Sequence, residues 1–132
     1  DLRLLERLAG VRVLGFTKHG HSPVRSGGPW DESRFVEYGV RAGLKYLAQG
    51  EGHPDWELPR VVGGLVVFGH HVTLRRCRIE DVRAYVRSRR LPLILVHPED
   101  ISAPGEREKF EEVLSMGRAV SVAEALRALG AI

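Results

Sequence analysis

This chain has a single cysteine, Cys77, so an internal disulfide is excluded. No CxxC or Cys/His spacing surrounds it, and it reads as a half-buried spectator thiol. No apolar run approaches the roughly 18–20 residues of a membrane span, so no membrane partner is expected. A phosphate-binding fingerprint is missing too. Gly27-Gly28 and Gly63-Gly64 fit neither G-x-G-x-x-G after a strand nor Gly-Lys-Ser/Thr. There is no Ser-His-Asp elbow, internal repeat or low-complexity segment. The opening stretch DLRLLERLAG carries acids in a short amphipathic pattern, unlike a secretory leader, and a cytoplasmic protein is expected.

What is present is an ordinary globular composition. At 132 residues, 43% hydrophobic and 28% charged, the chain is expected to form one domain with a real core. Net charge is +3, and the basic residues are nearly all arginine. Their densest run is Arg75, Arg76, Arg78, Arg83, Arg87, Arg89 and Arg90, interrupted by Glu80 and Asp81. Without interleaved aromatics or a nucleic-acid motif, this run reads as the solvated face of a helix in an arginine-rich, thermophile-like protein. Nucleic acid is not the expected partner.

Helical and strand-like patterns alternate. Leu2, Leu4, Leu5 and Leu8 form a helical stripe stopped by Gly10, and Val11, Val13 and Leu14 begin a strand reaching Phe16. Residues 19–30 are a loop rich in Gly, Pro and Ser. Asp31 can cap a helix burying Phe35, Val36, Tyr38 and Val40, with Gly43 ending it. LKYLA and GGLVVFG read as strands. A helix over 79–89 then places Ile79, Val82 and Val86 on one face. LPLILVH, apolar throughout, reads as a strand covered on both faces. Another helix spans 106–115 with Phe110, Val113 and Leu114. A weak strand is possible at Ala119-Val120, and Ser121 with Glu124 is a capping box for the last helix. This order predicts an α/β fold of parallel strands with helical crossovers. The chain opens with Asp and with a crossover helix that no strand precedes. Its four or five strands are too few to close a barrel of about eight. The expectation is the C-terminal part of a longer β/α protein.

All six histidines fall on or just past the C-terminal end of a strand-like run: His19 and His21, His53, His70 and His71, and His97. Strand C-termini share one rim in parallel α/β folds, where binding and catalytic groups collect. Histidine suits proton transfer near neutral pH and ligation of transition metals. His97 is placed to act as a general acid. His19 and His21, spaced i, i+2, point to one side if the strand continues through them, a workable metal-ligand pair. His70, His71, Asp55 or Glu51 would have to complete such a site. If the strand runs through them, His70 and His71 face opposite ways, so at most one would address a cleft. Asp55 can orient a catalytic group, and Trp56 is either an apolar wall for a sugar ring or a core tryptophan under a long loop. Trp30, before Asp31, reads as a staple for the helix start.

Four segments together resemble the polysaccharide deacetylase family of metal-dependent carbohydrate esterases. LLERLAGVRVLGFTKHGH is similar to the family's helix and strand ending in a rim loop, and AGLKYLAQGEGHPDW to its following strand and Asp-Trp rim motif. LPLILVHPED is similar to its late strand with the Leu-x-His motif, here Leu95-Val96-His97. SVAEALRAL is similar to its closing helix. The resemblance covers most of the chain and implies the C-terminal half of a distorted (β/α) barrel of the glycoside hydrolase/deacetylase type. It further implies a hydrolase cleaving C–N amide bonds of an N-acetylated carbohydrate or related amide, with His97 as general acid and Lys18 at the position of a rim arginine. Lys18, His19, Asp55, Trp56 and His70 become the expected substrate-binding residues. A divalent metal, zinc or cobalt, is the implied cofactor. The family's Thr-Phe-Asp-Asp-Gly and His-x-x-x-His motifs do not occur here and are expected upstream. Self-association, or pairing with a missing barrel half, is the expected assembly. The alternatives are a non-catalytic binding or assembly module without the metal triad, and an α/β domain that meets nucleic acid through its arginine-rich helix.

Overall fold

The computed structural model describes residues 2–17, 31–49, 53–69 and 72–132. The described chain runs α1 (Leu2–Ala9), β1 (Gly15–Thr17), α2 (Glu32–Arg41), β2 (Tyr46–Ala48), β3 (Arg60–Val62) and β4 (Leu65–Phe68). It continues as β5 (Val72–Thr73), a 3-10 turn (Leu74–Arg76), α3 (Ile79–Ser88), β6 (Ile94–Leu95), α4 (Pro98–Ser102), α5 (Pro104–Ser115) and α6 (Val122–Ala128). The residues group into two compact units. One comprises Asp1–Pro54 and Pro59–Gly69, the other Asp55–Leu58 and His70–Ile132.

The first unit is built on a four-stranded sheet in the order β1-β2-β4-β3. β1, β2 and β4 are parallel, with Phe16, Leu47 and Val67 in one row, so the expected parallel core is present. β3 pairs antiparallel with β4. The turn between them is Gly63-Gly64, both at positive φ, which only glycine adopts without strain in a two-residue hairpin. Three residues after Pro59 carry too little alternation to read as a strand, which is why β3 escapes a pattern search. The core is Val36, Leu44, Leu47, Leu65 and Val67, with Leu2, Val13, Phe16 and Ala42 against it.

Asp31 caps α2 as expected, accepting the Ser33 backbone N–H at 3.0 Å. The burial expected along α2 is corrected, because only Val36 and Gly39 are buried. Phe35, Tyr38 and Val40 remain 38%, 57% and 39% exposed. The narrow contact face has a cause: a Cβ at Gly39 would lie 2.9 Å from Leu65 Cδ2 and 3.2 Å from the Phe16 ring. The helix rests on the sheet at this glycine, and its flanks turn outward.

The second unit has a two-stranded parallel sheet, Val72 opposite Ile94 and Thr73 opposite Leu95. Val72, Leu74 and Val82 form its core. Ile79 and Val86 from α3 and Phe110 and Val113 from α5 pack on it, as their helical spacing predicts. Leu114 stays exposed. The Ser121–Glu124 capping box is present, with Glu124 Oε2 accepting the Ser121 N–H at 2.8 Å. LPLILVH departs from expectation. Only Ile94–Leu95 is strand, it belongs to this separate sheet, and Leu95 is 36% exposed. Leucine and isoleucine runs mark burial only when layers cover both faces, and a two-residue strand beside short helices does not supply them. Residues 118–121 form no strand.

Candidate functional site

The site built around His97 begins with β5 and β6. Their parallel register pairs Thr73 with Leu95, so the chain leaves both strands at one edge of this small sheet. Arg75 lies two residues past Thr73, in the 3-10 turn, and His97 lies two residues past Leu95. Pro98 then opens α4, where its missing N–H costs nothing. Asp100, three residues past His97, reaches back so that its Oδ2 accepts the His97 backbone N–H at 3.0 Å. The Asp100 backbone N–H donates to the His97 carbonyl at 2.9 Å. These two bonds fix the backbone on which the imidazole is carried.

Asp100 is only 4% exposed, and a buried carboxylate needs partners. Besides the His97 N–H it has Arg75, whose Nη1 is 3.7 Å from Oδ1. The same Nη1 lies 3.5 Å from Glu99 Oε1, and that oxygen is 3.8 Å from His97 Nδ1. The His97 side chain is 29% exposed, held on its backbone side and open to solvent for part of its ring. Such a group can exchange a proton with a molecule outside the protein. Arg75, Glu99 and Asp100 were missed as site residues. The available signal was the His-Pro-Glu-Asp order, where an acid three residues after a helix start is capping-box spacing.

Asp55 and Trp56 belong to the same unit. Asp55 Oδ2 is 2.9 Å from Arg89 Nη1, and its Oδ1 accepts the Glu57 N–H at 2.8 Å. Glu57 in turn accepts the Leu91 N–H at 2.7 Å. Asp55 therefore helps seat its own segment. Trp56 is 3% exposed, which matches the core-tryptophan alternative; stacking on a sugar needs a ring face open to solvent. In the first unit, His53 Nδ1 is 3.6 Å from Glu32 Oε2, and Glu32 is also paired with Arg60. That pair borders an open groove of about 760 Å³ lined by Asp31, Ser33, Val36 and Val62 as well. Lys18, His19, His21, His70, His71, Glu51 and Trp30 lie outside the described residues.

Among the described residues, no group of three or more His, Cys, Asp or Glu side chains could hold a metal ion. His19, His21, Glu51, His70 and His71, which the sequence offers as ligands, are not among those residues. The arginine-rich run is largely engaged within the fold. Arg78 pairs with Asp81, Arg83 with Glu112, and Arg89 with Asp55 and Glu57, while Arg90 donates to the Ala128 carbonyl. These pairs hold the Asp81 and Glu112 carboxyls below their usual range, chiefly through hydrogen bonds from Arg78 and Arg83. Among the described residues, no helix is long and apolar enough to cross a membrane.

Fold and site together define a mixed α/β chain with a parallel-stranded sheet and a histidine set between strand and helix in its second unit. No protein-family model, curated protein or solved structure matches it.

Proposed function

We propose that the chain is the C-terminal part of a polysaccharide deacetylase-like hydrolase, acting on the C–N amide bond of an N-acetylated carbohydrate or related amide. His97 is its general acid. The observation that supports this reading is the clamp at His97: a partly exposed imidazole on a backbone held by the buried Asp100. In amide hydrolysis the oxygen of a water bonds to the acyl carbon and that water gives up a proton to solvent; the C–N bond breaks, so the departing nitrogen must gain a proton. Nδ1 of His97 lies toward Glu99, which leaves Nε2 to deliver that proton. The neutral ring then regains one from solvent.

The test is acetate release from an acetylated chitooligosaccharide by the full-length protein, before and after His97→Ala. Loss of the acid is expected to lower turnover by about 10²–10⁴-fold. Unchanged turnover would remove His97 from the reaction. No release by the unaltered protein would overturn the hydrolase reading in favour of a non-catalytic binding or assembly module.

A further inference from the structure

We infer that Arg75 is a positioning residue for His97, acting through Glu99 and Asp100; this rests on the general-acid reading above. Arg75 Nη1 lies 3.5 Å from Glu99 and 3.7 Å from Asp100, and these are the two acids that meet His97. Asp100 takes the His97 backbone N–H at 3.0 Å, and the Glu99 oxygen nearest Arg75 faces the ring nitrogen Nδ1 at 3.8 Å. One guanidinium thus restrains both the backbone and the ring side of the same histidine. Parallel pairing of β5 and β6 makes the reach possible, since it brings the turn bearing Arg75 and the start of α4 out at one edge.

The arrangement is a poor stability device and a good orienting one. Arg75 is 41% exposed and its pairs are longer than tight charge-assisted hydrogen bonds, so water screens much of their energy. Asp100 is buried, however, and a buried carboxylate without its cation would turn toward solvent and release the His97 N–H. A proton donor must sit within hydrogen-bond reach of the leaving nitrogen, and small displacements there are costly. Arg75 therefore governs where the imidazole is held rather than whether the unit folds.

The test compares Arg75→Gln, Arg75→Lys and Asp100→Asn in the full-length protein. The readouts are imidazole motion at His97 by NMR relaxation, exchange of the His97 amide proton, and kcat and KM for acetate release from an acetylated chitooligosaccharide. Arg75→Gln is expected to loosen the ring, to speed amide exchange, and to lower kcat about tenfold or more with KM nearly unchanged. Arg75→Lys should recover part of each loss, because it keeps the charge. Asp100→Asn should retain the N–H bond but loosen its tie to Arg75. The inference is overturned if Arg75→Gln leaves ring motion and amide exchange as they were, or raises KM while sparing kcat. If the unaltered protein releases no acetate, the general-acid reading fails, and the two NMR readouts still decide the role of Arg75. Should Asp100→Asn fail to fold, the two Arg75 variants carry the decision.

Discussion

In the first unit the strands do the holding: Leu47, Leu65, Val66, Val67 and Phe68 are all at 0–1% exposure along β2 and β4. In the second unit the strands are two residues each, and charged side chains tie the elements together. Arg83 of α3 pairs with Glu112 of α5, Arg75 with the acids of α4, Arg89 with Asp55, and Lys109 Nζ donates to the Cys77 carbonyl at 3.1 Å. Apolar burial is non-directional, so it secures a layer without aiming any one group. Ion pairs and hydrogen bonds give less net stability but fix geometry. In the first unit an acid also meets a histidine, Glu32 beside His53, but a contact to both backbone and ring is described at His97. His97 is clamped in the unit that is tied by polar contacts.

Truncating a fully buried leucine in each unit tests that contrast most strongly. Leu47→Ala and Leu74→Ala should each cost about 2–5 kcal/mol, and the spread within that range reflects how far the site can collapse. Leu47 lies in the second strand of a four-stranded sheet whose registers bind it on both sides, so its cavity stays open and its loss falls toward the upper end. Leu74 lies on a 3-10 turn among short elements that can close around the gap. Denaturant unfolding of both variants gives the comparison. A larger loss for Leu74→Ala would mean that the second unit is as rigidly packed as the first.

The next test probes the contact between α2 and the sheet. Gly39→Ala pushes a methyl against Leu65 and Phe16, and such overpacking costs about 1–3 kcal/mol. An Ala that is neutral or stabilising would show that α2 floats on the sheet and that its glycine is not needed for the approach.

How much of this was legible beforehand follows the same division. β2 and β4 were readable because their apolar residues are contiguous, whereas β1 is only Gly15–Thr17 and leaves Val11, Val13 and Leu14, expected to begin it, outside the strand; of the three only β4 is buried along its whole length. The caps at Asp31 and Ser121 were readable because capping chemistry is local, depending on residues two or three apart. The two-residue strands β5 and β6 were not, since two residues carry no period. The Arg75 cluster was invisible for a different reason. Its partners stand more than twenty positions away, and only the pairing of β5 with β6 brings them together. His97 itself could be picked out by its place after an apolar run, whereas what holds it could not. The candidate site was legible in its central residue and not in its supports.

The smallest expected effect concerns acid. The Glu112 carboxyl is held below its ordinary value by hydrogen bonds from Arg83, one of them at 2.9 Å, and those of Asp81 and Glu124 by Arg78 and by Ser121. A carboxylate whose folded value is depressed favours folding above its unfolded value, and that contribution fades as pH falls through the folded value. The second unit should therefore lose stability as pH falls below about 5, where unfolded glutamates begin to protonate. Glu112→Gln should remove part of that slope while changing stability at neutral pH only slightly, because Arg83 and Glu112 are each more than a third exposed or close to it and water screens the pair. Thermal melts from pH 3 to pH 7, with and without the substitution, measure both. If the acid slope of the variant matches that of the unaltered protein, the Arg83–Glu112 pair is not what joins α3 to α5. In that case the tie falls to Phe110 and Val113 against Val82, and the second unit would be held by apolar contact, much as the first is.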